Sequence, residues 1–325
     1  MREKRLDFAF ARRPAKTGAM NDQPIRIGTR GSPLAMAQAT MVRDLLARTH
    51  PDAPAPEIME IHTTGDAITD RPLADAGGKG LFTKEIDRAL LEADVDIGVH
   101  SAKDMETWLP EGMVIGAALP REDPRDALIG ASSIAGIPRG ARVGTASQRR
   151  QAQLLAQRPD VRVVLFRGNV HTRLRKLEAG EADVTLLALA GLNRLGQAGV
   201  ADGILELEDM LPAVGQGIIA IARRDGDARV AEALAPLNDA EALTCLTAER
   251  AMLDALDGTC RTPIAGLARL RGGEIELHGL VAWPDGSDLV RREMTGAAAD
   301  PVTLGRAVGA ELRECIGEDF FAMLD

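Results

Sequence analysis

From residue 25 onward the chain repeats one pattern: a short branched apolar run, a turn rich in Gly and Arg, then a stretch with helical spacing. Residues 25–29 read as a strand, followed by Arg30-Gly31 and a helix that Ser32 can cap and whose first turn suits Pro33. Gly77-Gly78-Lys79-Gly80 precedes a helix expected over 81–93, with Phe82, Ile86 and Leu90 on one face. A buried strand at 95–99 then runs into His100-Ser101-Ala102-Lys103-Asp104. The pattern resumes beyond Pro120, with strands expected at 141–145, 161–166 and 183–188. Helices are expected from Ser147 and over 170–178. Residues 211–217 read as a crossing segment before another buried strand at 218–222. Alternation of this order implies parallel sheets with helices on both faces, the doubly wound α/β class.

The last portion departs from the pattern. A long helix near 241–256 leads to a turn, strands near 266–271, 274–282 and 289–295, and a closing helix over 302–315. That is a small α+β module with antiparallel strands. Three domains are expected, the first two sharing an architecture.

Composition removes several classes of function. A net charge of −9, with 2% aromatic residues and no tyrosine, opposes nucleic-acid binding, since little is left for base stacking. No apolar run reaches the roughly 20 residues of a membrane span. The three cysteines, Cys245, Cys260 and Cys315, have no Cys-x-x-Cys spacing and no histidine nearby. Neither a zinc site nor a disulfide framework is suggested, and a cytoplasmic location follows as the default. Residues 1–22 are basic but broken by Glu3, Asp7 and Pro14. They lack the continuous apolar core of a secretory signal and read as a disordered extension.

The basic residues nevertheless concentrate where ligands bind in open α/β sheets, at the carboxyl ends of strands. Arg30, Arg149, Arg150, Arg167 and Arg194 all fall in turns just after expected strands, and Arg173 lies within two turns of Arg167. Ser32, Thr145 and Ser147 stand beside helix N-termini, whose free N–H groups favour anions. Singly, each arginine is compatible with a surface salt bridge. Together, drawn from both α/β halves, they point to an interdomain site for a ligand with several anionic groups. Gly77 to Gly80 has neither the P-loop ending nor dinucleotide spacing, so a polycarboxylate is favoured over a phosphate.

Asp104 ends a buried strand beside Lys103. Neighbouring cations favour a carboxylate's charged form, which can accept N–H groups and stabilise positive charge developing on a substrate. A structural cap is the bland alternative. Cys260 lies in Asp257-Gly258-Thr259-Cys260-Arg261-Thr262-Pro263, a tight loop whose Arg261 favours thiolate. Cys245 and Cys315 fall in expected helices and read as packing residues. Of the histidines only His100 abuts a candidate site; His50, His62, His171 and His278 read as surface or structural. A non-catalytic anion-binding protein of the same architecture is the competing reading, and it has no use for Asp104 or Cys260.

Taken together these segments resemble the porphobilinogen deaminase (hydroxymethylbilane synthase) family. The resemblance starts near Ile25 and rests on Thr29-Arg30-Gly31-Ser32-Pro33-Leu34-Ala35, Gly77-Gly78-Lys79-Gly80-Leu81-Phe82 and His100-Ser101-Ala102-Lys103-Asp104. It continues through Arg121-Glu122-Asp123-Pro124-Arg125-Asp126-Ala127, Gly144-Thr145-Ala146-Ser147-Gln148-Arg149-Arg150, the 211–217 segment and the Cys260 loop. It implies two periplasmic-binding-protein-like domains, 23–118 with 218–237 and 119–217, and a C-terminal α+β domain, 238–325. It also implies a monomer whose dipyrromethane cofactor is held by a thioether on Cys260. Lys103, Asp104, Thr145, Ser147, Arg149, Arg150 and Arg194 would contact that cofactor. Arg30, Ser32, Phe82, Arg167 and Arg173 would hold the incoming porphobilinogen or the growing chain. Asp104, with Lys103, would be catalytic: it bonds pyrrole N–H groups while ammonia leaves and an azafulvene-like cation forms. Four additions and a hydrolysis would release a linear tetrapyrrole. The sequence departs from the family pattern at Thr259, Ala146 and Gln148, and at Met105-Glu106, where an apolar residue and proline usually follow the Asp.

Overall fold

Each branched apolar run becomes a short strand, and each strand ends in a turn whose polar residue caps the next helix. The computed structural model describes residues 23–67, 80, 82–258 and 262–324. The 1–22 segment, Gly77 to Lys79, Leu81 and the Thr259-Cys260-Arg261 triplet lie outside the described residues. The first unit runs β1 (Arg26–Thr29), α1 (Pro33–Thr49), β2 (Glu57–Glu60), α2 (Thr64–Ala67), α3 (Lys84–Leu91), β3 (Ile97–Ser101) and β4 (Met113–Ala118). The second runs β5 (Asp126–Ile129), β6 (Arg142–Gly144), α4 (Gln148–Gln157), β7 (Arg162–Val164), α5 (Val170–Glu178), β8 (Val184–Ala188), α6 (Leu189–Arg194) and β9 (Gly203–Ile204). The chain then returns to the first sheet as β10 (Ile219–Arg224) and α7 (Ala228–Leu234). The third unit holds α8 (Ala240–Ala255), β11 (Ile264–Arg271), β12 (Glu274–Ala282), β13 (Leu289–Ala297), α9 (Pro301–Ile316) and α10 (Glu318–Leu324).

The sheet orders are β2-β1-β3-β10-β4 and β7-β6-β8-β5-β9, the same arrangement twice. Both are mixed rather than all-parallel as expected: β10 lies antiparallel between β3 and β4, and β5 antiparallel between β8 and β9. The reason is connectivity. Each of these strands arrives directly from the other unit at the carboxyl ends of its new neighbours, so it must run away from them. The two crossings therefore meet at those carboxyl ends. There Glu122 N donates to Gly217 O at 3.0 Å, and Arg121 Nη1 to Gln216 O at 3.3 Å. Gly217 is left-handed (φ 89°), and a Cβ on it would stand 2.2 Å from Glu122 O, so only glycine lets the crossings touch.

Ser32 accepts from Ala35 N, Ser147 from Arg150 N and Asn169 from Thr172 N, three caps placed where three strands end. The helix expected over 81–93 is shorter, α3, because Gly80 (φ 73°) opens a turn in which its carbonyl accepts Thr83 N and Lys84 N. Apolar residues cover both faces of the first sheet. One core joins Ile27, Val42, Ile97, Ile219 and Leu234; the other joins Leu90, Ala118, Ala220 and, from α8, Leu246. Ala152 of α4 packs with Ala265, Leu267 and Leu280, so the third unit touches both α/β units. Within it, a Cβ on Gly305 would meet Ala248 O at 2.2 Å, which is why α9 can lie so close to α8. Cys245 is buried in this core as expected, whereas Cys315, read as a packing residue, is exposed on the outer side of α9 beside Arg292.

Glu249 on α8 locks the three parts. It is fully buried and accepts from Arg121 of one crossing, from Gly215 N of the other at 2.7 Å and from Ala268 N of β11 at 2.8 Å. A buried carboxylate holding a guanidinium and two amides leaves all three unsatisfied when removed. Glu249→Ala is expected to lower the unfolding free energy by about 3 kcal/mol, measured by chemical denaturation, whereas Glu232→Ala on exposed α7 surface should change little.

Candidate active site

Strand β3 passes through buried Val99 and His100 to Ser101, then tightens into a 3-10 turn, Ala102–Asp104, that brings Asp104 beside Arg30. Its carboxylate is about one-third exposed, with Oδ2 4.0 Å from Arg30 Nη1. Arg30 in turn lies over the Phe82 ring at 4.2 Å, a cation–π contact that fixes the guanidinium plane. Gln38 of α1 shares a hydrogen bond of 2.9 Å with Ser101 Oγ. Arg30, Ser32, Phe82, His100, Ser101 and Asp104 together line a small cavity of about 40 Å³. Burial, and then Arg30, push His100 down to about 4, so it is a neutral imidazole, and its Nε2 has no hydrogen bond.

Across the cleft, helix α4 begins with Arg149 and Arg150, both buried. Asp126, the first residue of β5 and wholly buried, accepts from Arg149 Nη2 at 2.8 Å, from Arg150 Nη2 at 2.8 Å and from Gln216 Nε2 at 2.9 Å. Burial alone would raise the Asp126 carboxyl; the two guanidinium groups outweigh it and hold the acid well below its ordinary range. Gln216 also accepts Lys103 Nζ at 3.1 Å, so a continuous polar path runs from Lys103 in the first unit to Arg149 and Arg150 in the second. Burial, with Arg150 and Arg149 adding repulsion against the pull of Asp104 and Asp126, brings Lys103 down to about 8.

Arg173 of α5 donates from Nε to Gly168 O at 2.9 Å. Its guanidinium is brought down to about 10 by burial and by Arg150 and Arg167, with Asp104 opposing. Arg173 thus feels Asp104 of the first unit as well as two cations of its own. Arg167 is buried nearby, and Arg194 donates to Gly217 O of the crossing at 2.6 Å. Thr145 is buried and accepts from Ser147 N at 3.1 Å, shaping the turn before α4.

The residues expected from sequence thus fall into two groups. Arg30, Ser32, Phe82 and Asp104 gather on the first unit, and Lys103, Arg149, Arg150, Arg167 and Arg173 share one field between the units. Arg149 and Arg150 differ from the simple expectation of open cationic ends. Their remaining Nη atoms reach Leu211 O at 2.7 Å and Leu186 O at 2.9 Å, leaving the buried Nε of each without a partner. Asp126 and Gln216 were not singled out from sequence. The available signal was a charge at the head of the apolar run Asp126-Ala127-Leu128-Ile129, where an ionised residue needs a buried cation. His278 sits between Glu276 and Glu293 at 3.4 and 3.5 Å on the third sheet.

Cys260 lies outside the described residues, but the chain leading to it does not. Thr107 Oγ1 donates to Gly258 O at 2.6 Å, Trp108 Nε1 bonds Asp254, and Arg250 Nη2 bonds the carbonyls of Glu106 and Thr107 at 2.8 Å each. The loop that follows Asp104 is therefore fastened to the end of α8 and to Gly258.

Two α/β units with a cationic cleft and one carboxylate facing it, plus a module tied to that carboxylate's loop, define a class of anion-handling protein built on a two-lobed fold. The sequence matches the family models described as porphobilinogen deaminase, dipyromethane cofactor binding domain, over residues 25–232, and porphobilinogen deaminase, C-terminal domain, over 243–314. It is 54% identical over 301 residues to the porphobilinogen deaminase of Paracoccus denitrificans, covering 92% of this chain and 96% of that one. It is 51% identical over 308 residues to the chloroplastic porphobilinogen deaminase of Oryza sativa subsp. japonica, covering 92% and 86%. A solved Salmonella typhimurium periplasmic binding protein of high arginine specificity aligns at 11% identity and a TM-score of 0.37, covering 66% of this chain and 91% of that one. The chain belongs to the porphobilinogen deaminase family. Among the described residues no helix is long and apolar enough to cross a membrane.

The residues present fit a dipyrromethane bearing carboxylates. The Lys103 ammonium, half-buried and bonded to Gln216, stands with Arg149, Arg150 and Arg173 among the cationic side chains that such acids would pair with.

Removing the Asp126 charge would leave two buried guanidinium groups facing each other. Asp126→Asn is expected to lower stability at neutral pH by about 3 kcal/mol. Because the folded-state pKa is depressed, that contribution is present above the ordinary carboxylate range and fades as pH falls below about 4. Denaturation at several pH values should show the wild type and the variant converging on the acid side.

Proposed function

We propose that this chain condenses four porphobilinogen molecules head to tail, with loss of ammonia at each step, to give hydroxymethylbilane, a transferase reaction. Its dipyrromethane is held by a thioether on Cys260, and the protein works as a cytoplasmic monomer. What carries the reading is Asp104 beside Arg30 at 4.0 Å, at the end of β3 next to Lys103, in a chain that matches the family over most of its length. The working units proposed are 23–118 with 218–237, 119–217 and 238–325, in keeping with sheet membership.

The bound group would supply the nucleophilic ring carbon to which substrate is joined. Lys103, Thr145, Ser147, Arg149, Arg150 and Arg194 would hold its carboxylates. Asp104 would accept pyrrole N–H groups and offset the positive charge that develops on substrate as ammonia leaves. Arg30, Ser32, Arg167 and Arg173 would hold the acetate and propionate arms of incoming substrate. Phe82, by fixing the Arg30 guanidinium, keeps that cation beside Asp104. Neutral His100 adds no charge to the pocket and so leaves Asp104 the local counter-ion for a developing cation. Holding electrophile and nucleophile together in one cleft contributes much of the acceleration.

Intact denatured mass tests attachment first. The protein expressed with substrate available should carry an excess of two pyrrole units, and Cys260→Ala should carry none; an unmodified wild-type chain refutes the covalent reading. Asp104→Asn should load the cofactor yet turn porphobilinogen over on the order of a hundredfold more slowly, and near-normal turnover would remove Asp104 from the chemistry.

A further inference from the structure

Glu106 has no part in the scheme above, yet it stands two residues from Asp104, where the family pattern has a proline. A proline has no side-chain acceptor; here a carboxylate is present and it is used. Glu106 Oε1 accepts the Gly80 N–H. Gly80 holds a left-handed conformation (φ 73°), and its carbonyl accepts Thr83 N at 3.0 Å and Lys84 N at 2.9 Å. The Gly80 peptide is thus bonded on one side to the Asp104 loop and on the other to the turn that begins α3. Phe82 sits inside that turn, and its ring carries Arg30, whose Nη1 lies 4.0 Å from Asp104. The contacts close a circuit: Asp104, Arg30, Phe82, Gly80, Glu106 and back along two peptide bonds to Asp104.

Resting on the proposed function, we infer that Glu106 is a positioning residue: by anchoring Gly80 it sets Phe82, and through Phe82 holds the Arg30 guanidinium at its working distance from Asp104. The loop end of the circuit is stiff. Met105 is buried in the core, and the Glu106 and Thr107 carbonyls are bonded to Arg250. A change in the Glu106 side chain is therefore felt at Gly80 rather than absorbed by the loop. Two charges face Glu106 besides the tether. Arg250 attracts it, and Asp87 of α3, raised to about 6 by burial and then by Glu106 and Glu85, repels it. The carboxylate stays on Gly80 despite that repulsion.

Two conservative variants separate a tether from a charge partner. Glu106→Gln keeps the length and an acceptor oxygen but loses the charge; Glu106→Asp keeps the charge but falls one methylene short. A tether predicts E106Q with near wild-type kcat and E106D lowered about tenfold, with KM changed less than kcat and the cofactor mass intact in both. Simple charge pairing with Arg250 predicts the reverse order, and that result, or wild-type kcat in both variants, overturns the inference. Amide hydrogen exchange at Gly80 gives a readout independent of turnover. Exchange should be about tenfold faster in E106D and unchanged in E106Q. Equal exchange in all three proteins removes the tether even if porphobilinogen is turned over normally. Protection in the expected order, in a chain that turns over no porphobilinogen, leaves the tether standing and refutes the reaction.

Discussion

The second unit's cationic side of the cleft depends on one buried carboxylate. Asp126 takes two guanidinium groups and an amide out of water at the point where both crossings meet the ends of the second sheet. Two buried arginines side by side are untenable alone, because desolvation and mutual repulsion act in the same direction. With Asp126 between them the pair is fixed in place and keeps one unused donor each. The carboxylate thereby turns what would be an electrostatic fault into a fixed, paired cluster. Through Gln216 the same carboxylate reaches Lys103 on the other unit, so the two halves share an electrostatic network as well as a crossing.

The third unit serves the site from behind. Glu249 binds both crossings, and Arg250, its neighbour on α8, binds the carbonyls that follow Asp104. Consecutive residues on one helix thus anchor the two crossings and the loop that follows Asp104. The same loop holds Gly258, so the chain approaching Cys260 and the chain leaving Asp104 are fastened together. A group carried on that cysteine would share the fixed frame of the carboxylate meant to act beside it, which is what positioning catalysis demands.

Much of this was legible in the sequence. The caps Ser32 and Ser147, the strand ends and the arginines after them are set by local chemistry, and helix α5 was read at its observed bounds. The antiparallel β5 and β10 were not legible, because strand direction depends on which unit the chain has just left. Strands β2, β4, β5 and β9 were also not expected: β2 and β9 have few residues and little apolar alternation, β5 opens on a charge, and Gly116 with two alanines dilutes the apolar run of β4. Asp126 looked like one more charge in an Arg- and Asp-rich turn, since nothing local says that it is wholly buried.

By itself the sequence determined the alternating architecture, the separate C-terminal module and the cationic ends of the strands. Those properties follow from residue spacing and side-chain type. Tertiary structure alone decided which cations remain available to a ligand, because that depends on partners distant in sequence. Arg149 and Arg150 are committed to Asp126, 23 and 24 residues away, and Lys103 to Gln216, 113 residues away. It also decided the protonation of Lys103 and His100, since burial sets the energy of a charge and no local sequence pattern measures burial.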